Sequence, residues 1–163
     1  MKRDQKGFTL IELLIVISIV AVLAAIVFVS LDPATRFQDT RDARRFSDVA
    51  EVLHAVKIDQ VDGGGTYLAA IAGLTNGEVY MVGTAATGCT VPACDATVTS
   101  KTHCVDIGGL VTEGYVGSVP TSPNGAVSWD ATLTGYTISK SATGTVTIQA
   151  CESENTSAIS LSR

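Results

Sequence analysis

The sequence predicts an α+β protein: a long N-terminal helix, apolar at first and amphipathic further on, followed by a head built on an antiparallel β-sheet. Three observations carry that reading. Residues 8–31 form a run of 24 residues with no basic side chain and a single acid, Glu12. Residues 33–62 repeat apolar positions at spacings of three and four, and residues 63–163 exchange helical periodicity for Gly, Thr, Ser and Val with stretches of strict alternation. A chain of 163 residues accommodates one folded unit and an appendage.

As a helix, residues 8–31 would measure about 36 Å at 1.5 Å per residue, enough to cross a hydrocarbon core of ~30 Å. Lys2, Arg3 and Lys6 precede the run and Asp32 follows it. The positive-inside rule therefore leaves the short N-terminal flank in the cytoplasm and exports the rest. A secretory signal has an apolar core of only ~7–15 residues and no acid just inside it. On hydropathy alone a plain single-pass anchor is favoured, but it does not account for Glu12 and the residues around it. An ionised carboxylate inside a bilayer costs several kcal/mol and marks a functional pairing.

The stretch Lys6-Gly7-Phe8-Thr9-Leu10-Ile11-Glu12 resembles the class III signal of type IV pilins and type II secretion pseudopilins: a short basic leader ending in glycine, then phenylalanine, with glutamate as the fifth residue of the mature chain. The resemblance covers about residues 1–31. It implies that residues 1–7 are a leader, that prepilin peptidase cuts between Gly7 and Phe8, and that the new amine is methylated to give N-methyl-Phe8. It also implies a pilin-like fold. Cleavage creates a positive amine four residues before Glu12. In an array of identical subunits the amine of one chain can neutralise the carboxylate of its neighbour, and breaking such a pair strands a buried charge at ~3–5 kcal/mol. The alternatives are that Glu12 stays near the headgroups or pairs with its own Phe8 amine on the same helix face.

Asp32-Pro33 interrupts the helical pattern, because proline lacks an amide donor and disfavours helical geometry in the residue before it. Either Asp32 caps a new helix with Pro33 at its first position, or one helix continues through a kink. Over residues 32–62, Phe46, Val49, Leu53 and Val56 define an apolar stripe expected to pack on the sheet. The other faces carry Arg36, Arg41, Arg44, Arg45, Asp42, Asp48 and Glu51. Arg44 and Asp48 are placed for an (i, i+4) pair. The interleaved acids make Arg41, Arg44 and Arg45 a solvated or inter-subunit face rather than a nucleic-acid site. Gly63, Gly64 and Gly65 end the helix.

Residues 63–163 are expected to form the β-rich head. The clearest strands are Tyr136–Lys140 and residues 145–150, where Tyr136, Ile138, Val146, Ile148 and Ala150 alternate with polar residues around a turn at residues 141–144. Residues 78–82, 104–107 and 127–130 are weaker strand candidates, and residues 68–74 suggest a short helical turn. Residues 114–123 are similar to a segment of many pilin heads that ends in Asp-Pro, with Ser122 here in place of the acid. That departure weakens a calcium site, which Ser122, Asn124 and Asp130 are too dispersed to restore.

Cys89, Cys94, Cys104 and Cys151 all fall in the C-terminal half, and an even count beyond an exported segment favours disulfides. The expected pairing is Cys89 with Cys94, closing a small Pro92-containing turn, and Cys104 with Cys151, tying the last strand to the middle of the head. The crossed pattern, Cys89 with Cys104 and Cys94 with Cys151, stays open. With His103 the cysteines could ligand zinc, but they lack the paired short spacings of a zinc ribbon. No metal or cofactor is expected. His54 and His103 sit in different segments with no nucleophile motif, so catalysis is not expected either. Without Lys2, Arg3, Lys6 and Asp4, the remaining 8 basic and 15 acidic residues give a net charge of −7, which disfavours nucleic acid as a partner.

The resemblance implies a structural subunit of a type IV pilus-like extracellular filament, serving adhesion, motility or DNA uptake. The alternatives are a pseudopilin of a type II secretion system and a monomeric membrane-anchored binding domain. Its expected partners are identical or homologous subunits, prepilin peptidase and the inner membrane. The expected location is the cytoplasmic membrane, single-pass with the N-terminus inside, and then the filament.

Overall fold

The computed structural model describes residues 7–89, 91–94, 97–100 and 103–163. It has an α+β, pilin-like architecture with a long apolar N-terminal helix and a four-stranded antiparallel sheet. The chain divides into two compact units, Met1–Phe37 and Gln38–Arg163.

In the first unit, α1 (Leu10–Leu31) is 22 residues long, about 33 Å at 1.5 Å per residue. None of its side chains is buried. Among the described residues it supplies the one stretch apolar enough to cross a membrane. The helix ends at Asp32, which lies in the left-handed region at φ 38°. Asp32 then starts α2 (Pro33–Asp62): its carbonyl accepts from Arg36 N–H at 3.3 Å, and its carboxylate accepts from the Thr35 hydroxyl at 2.6 Å. Of the two outcomes for Asp32-Pro33, the helix restarts, with proline where its missing N–H has no helical partner to lose.

In the second unit, α2 buries Asp42, Arg45, Asp48, Val49, Val52, Leu53, Ala55, Val56 and Asp59. Val49, Leu53 and Val56 pack as expected, but Phe46 does not, being 52% exposed. The cause is rotational. Each residue turns the helix by about 100°, and the buried stripe runs 42, 45, 49, 52, 56, 59. Arg45 therefore points inward and Phe46 outward. Counting only apolar residues skips the polar members of the stripe and displaces its centre.

The helix stops where the glycines begin. Gly63 N–H reaches the Asp59 carbonyl at 2.8 Å, Gly65 N–H reaches that of Gln60 at 2.7 Å, and Gly64 sits at φ 64° between them. A short helix α3 (Ala69–Ala72) follows, with Leu68 N–H on the Asp59 carboxylate at 2.6 Å.

The sheet comprises β1 (Val79–Met81), β2 (Tyr136–Lys140), β3 (Val146–Ala150) and β4 (Ser160–Ser162), in that order and antiparallel throughout. Tyr80, Ile138, Ile148 and Leu161 lie in register across it. The expected β2–β3 hairpin forms, and Tyr136, Ile138, Val146, Ile148 and Ala150 enter the main core with α2. Residues 104–107 contribute only a parallel bridge from Val105 to Val82, and residues 127–130 form a loop rather than a strand. A further helix, α4 (Gly108–Thr112), was not signalled because it begins with two glycines. A Cβ at Gly109 would stand 2.6 Å from Leu68 Cδ1, so any larger residue there would have to displace the Leu68 side chain.

A second, smaller core gathers Met81, Cys89, Cys94, Val98, Cys104 and Trp129. The disulfides are Cys89–Cys104 and Cys94–Cys151, with Cα separations of 5.2 and 4.9 Å. This corrects the expected pairing of Cys89 with Cys94 and Cys104 with Cys151. Val105 bridges Val82 while Cys104 N–H binds the Ala85 carbonyl, which brings Cys104 to the start of the loop beside Cys89. Cys94 closes the 3₁₀ turn Pro92–Cys94 and meets Cys151, which β3 delivers one residue past its end.

Candidate functional site

The candidate processing site precedes α1. Gly7, Phe8 and Thr9 are non-helical and exposed, and among the described residues no atom beyond the chain neighbours lies within 4 Å of a Cβ built on Gly7. Backbone in that state can be drawn into a protease cleft. Lys2, Arg3 and Lys6, expected to belong to a leader, lie outside the described residues. Thr9 caps α1: its hydroxyl accepts from Glu12 N–H at 3.3 Å, while Glu12 Oε2 accepts from Thr9 N–H and from the Thr9 hydroxyl at 2.8 Å each. This is a capping box, Thr-x-x-Glu. The Thr-x-x-Glu spacing is visible in the sequence, and the structure adds Thr9 to the Phe8 amine as a partner of Glu12. Both bonds fall on Oε2.

The head holds a second constellation that the sequence reading placed on the surface. Arg45 is fully buried. Its Nη1 donates to Asp42 Oδ1 and Glu154 Oε1 at 2.8 Å each, its Nε to Ser122 at 3.1 Å, and its Nη2 to the Pro123 carbonyl at 3.1 Å and Glu152 at 3.5 Å. Arg41 clasps both oxygens of Glu154. Asp42 also receives the backbone N–H groups of Glu154, Asn155 and Thr156 at 2.9–3.2 Å. Glu152 in turn takes the Trp129 indole N–H at 2.8 Å.

The hydrogen bond from Arg41, reinforced by Arg45, holds the Glu154 carboxyl down at about 2. Burial pushes the Asp42 carboxyl up, yet the N–H groups of Asn155 and Glu154 and the Arg45 guanidinium outweigh it and leave Asp42 below the ordinary range. Of Arg41, Arg44 and Arg45, Arg44 alone is exposed, 3.8 Å from Asp48 in the expected (i, i+4) pair. Asp48 itself takes the Tyr136 hydroxyl at 2.6 Å, and burial, reinforced by that bond, raises the phenol far above its usual value.

The remaining candidates stand apart. His54 is exposed on α2, whereas His103 packs against Tyr80 at 5.3 Å between ring centroids. Ser122 belongs to the Arg45 cluster, Asn124 accepts from Trp129 N–H, and Asp130 caps Thr132 and Leu133. Among the described residues no group of three or more His, Cys, Asp or Glu side chains is arranged to hold a metal.

Residues 2–28 match the family model for the prokaryotic N-terminal methylation motif, the class III signal typical of type IV pilins and pseudopilins. No curated protein and no solved structure matches the chain. The motif marks a substrate of prepilin peptidase and pilin-type assembly, and together with α1 it points to membrane anchoring before assembly.

Proposed function

We propose that the mature chain is a structural subunit of a type IV pilus-like extracellular filament, assembled through α1 and displaying its head to the outside. The observation that carries this reading is a lone carboxylate, Glu12, at the start of a helix whose apolar side chains are all exposed. Such a helix needs partners on every side, from lipid before assembly and from other copies of itself afterwards. Cleavage between Gly7 and Phe8 supplies a methylated amine four residues from Glu12. Because Thr9 occupies only Oε2, the carboxylate retains acceptor capacity for the Phe8 amine of a neighbouring subunit. That pair rewards correct axial register, since a displaced subunit leaves both charges unpaired in an apolar core.

Two measurements test the reading. Mass spectrometry of assembled material should find N-methyl-Phe8 as the first residue, and replacing Gly7 by tryptophan should leave the leader attached. Electron microscopy of sheared surface material should show long filaments dominated by this chain. Secretion defects without such filaments would instead favour a pseudopilin.

A further inference from the structure

The segment that follows β3 is fastened in two chemically different ways within a few residues. On one side Cys151 is joined to Cys94, closing a sequence separation of 57 residues. On the other, Glu154 is gripped by Arg41 and Arg45, while Asp42 accepts the N–H groups of Glu154, Asn155 and Thr156. Glu152, between the two fasteners, ties Trp129 of the small core to Arg45 of α2. The other disulfide, Cys89–Cys104, closes 15 residues and shares none with this segment.

We propose that residues 151–156 are a redox-gated strap, in which closure of Cys94–Cys151 and docking of Glu154 on Arg41 and Arg45 are thermodynamically linked. The covalent step is thiol–disulfide exchange with an external disulfide. One cysteine thiolate attacks a sulfur of the oxidant and expels one of its thiols, and the second thiolate then resolves the mixed disulfide. Cys94 and Cys151 together lose two protons and two electrons, and the oxidant is reduced to two thiols. The closed disulfide restricts the loop from which Glu154 must find its arginines. The docked carboxylates in turn hold Cys151 opposite Cys94. Linkage between two such events is reciprocal, with coupled sites commonly shifting one another by about 5- to 150-fold. In a reducing compartment the ion pairs hold the strap alone. Oxidation of Cys94 and Cys151 completes it.

The inference does not depend on filament formation and is tested on the unassembled full-length chain in detergent micelles. The chain is equilibrated across a series of reduced-to-oxidised glutathione ratios, free thiols are alkylated, and each cysteine pair is quantified by peptide mass mapping. Glu154→Gln should make Cys94–Cys151 at least about fivefold easier to reduce while Cys89–Cys104 keeps its wild-type midpoint. Reciprocally, the Cys94→Ser/Cys151→Ser chain should exchange the amides of Glu154, Asn155 and Thr156 faster by a similar factor, with those of Ile138 and Ile148 unchanged. If Glu154→Gln fails to fold, Arg41→Lys, which keeps the charge and loses the two-pronged grip, replaces it in the same comparison. Equal shifts in both disulfides would mean general loosening and overturn the proposal, as would no shift in either. Loss of filaments leaves these readouts unaffected, so the two readings fail separately.

Discussion

Glu12 shows how one residue's partner changes its meaning. Within a single chain it completes the capping box with Thr9, which satisfies backbone at the start of α1. Glu12→Ala should leave membrane insertion intact, because it removes a charge from an apolar run, yet lower filament yield by stranding a neighbouring Phe8 amine. Normal yield in shear preparations would exclude the pairing. Arg45 is the counterpart in the head, and its cluster defines a pH dependence. Glu154 is held at about 2 against an ordinary 4.5, and Asp42 is also lowered. A depressed carboxyl stabilises the folded state fully above its unfolded value, and that stabilisation fades as pH falls through the folded one. Head stability in urea should therefore be level from neutral pH to about 5 and fall between about 4.5 and 2. A decline beginning near pH 6 would point to groups outside this cluster.

At the scale of elements, α2 separates what periodicity reveals from what it hides. Its length and its glycine stop were legible, and so was most of its apolar stripe, because hydrophobic spacing and φ-permissive residues act locally. Arg45 was not legible, since an arginine is buried only when distant carboxylates meet it, and Glu152 and Glu154 lie more than a hundred residues away. The exposed Phe46 and buried Leu53 give the corresponding test. Phe46→Asp should change stability by about 0.5 kcal/mol or less, as for most surface positions. Leu53→Asp should cost about 4 kcal/mol or more, combining a core cavity with a buried charge. Thermal unfolding of the two variants distinguishes this stripe from one centred on Phe46. The β2–β3 hairpin was legible through strict alternation. In contrast, β4, with one apolar residue in three, and α4, with its glycines, exist because neighbouring elements hold them.

At the scale of the whole molecule, the crossed disulfides tie the small core to the end of the sheet. Non-reducing proteolysis should yield a fragment joining Cys94 to Cys151 and another joining Cys89 to Cys104. In the chain-entropy picture, closing 57 residues stabilises by roughly 4 kcal/mol and closing 15 by roughly 3. Serine replacement of the Cys94–Cys151 pair should therefore lower the unfolding free energy by about 1 kcal/mol more than replacement of the other pair. The reverse order would place the larger constraint in the shorter loop.

What the sequence determined by itself is whatever rests on near neighbours along the chain: the class III signal around Gly7 and Phe8, the apolar length of α1, the break at Asp32-Pro33, the glycine end of α2 and the alternation of the hairpin. Each depends on backbone geometry or hydropathy within a few turns, so the residues present suffice to specify it. Only the tertiary structure decided which cysteines pair, which way α2 faces and why its arginines are there. Those outcomes depend on groups far apart in sequence, whose encounter is set by how the sheet, the small core and the segment after β3 pack together. Local pattern carries no information about partners that folding alone brings within bonding distance.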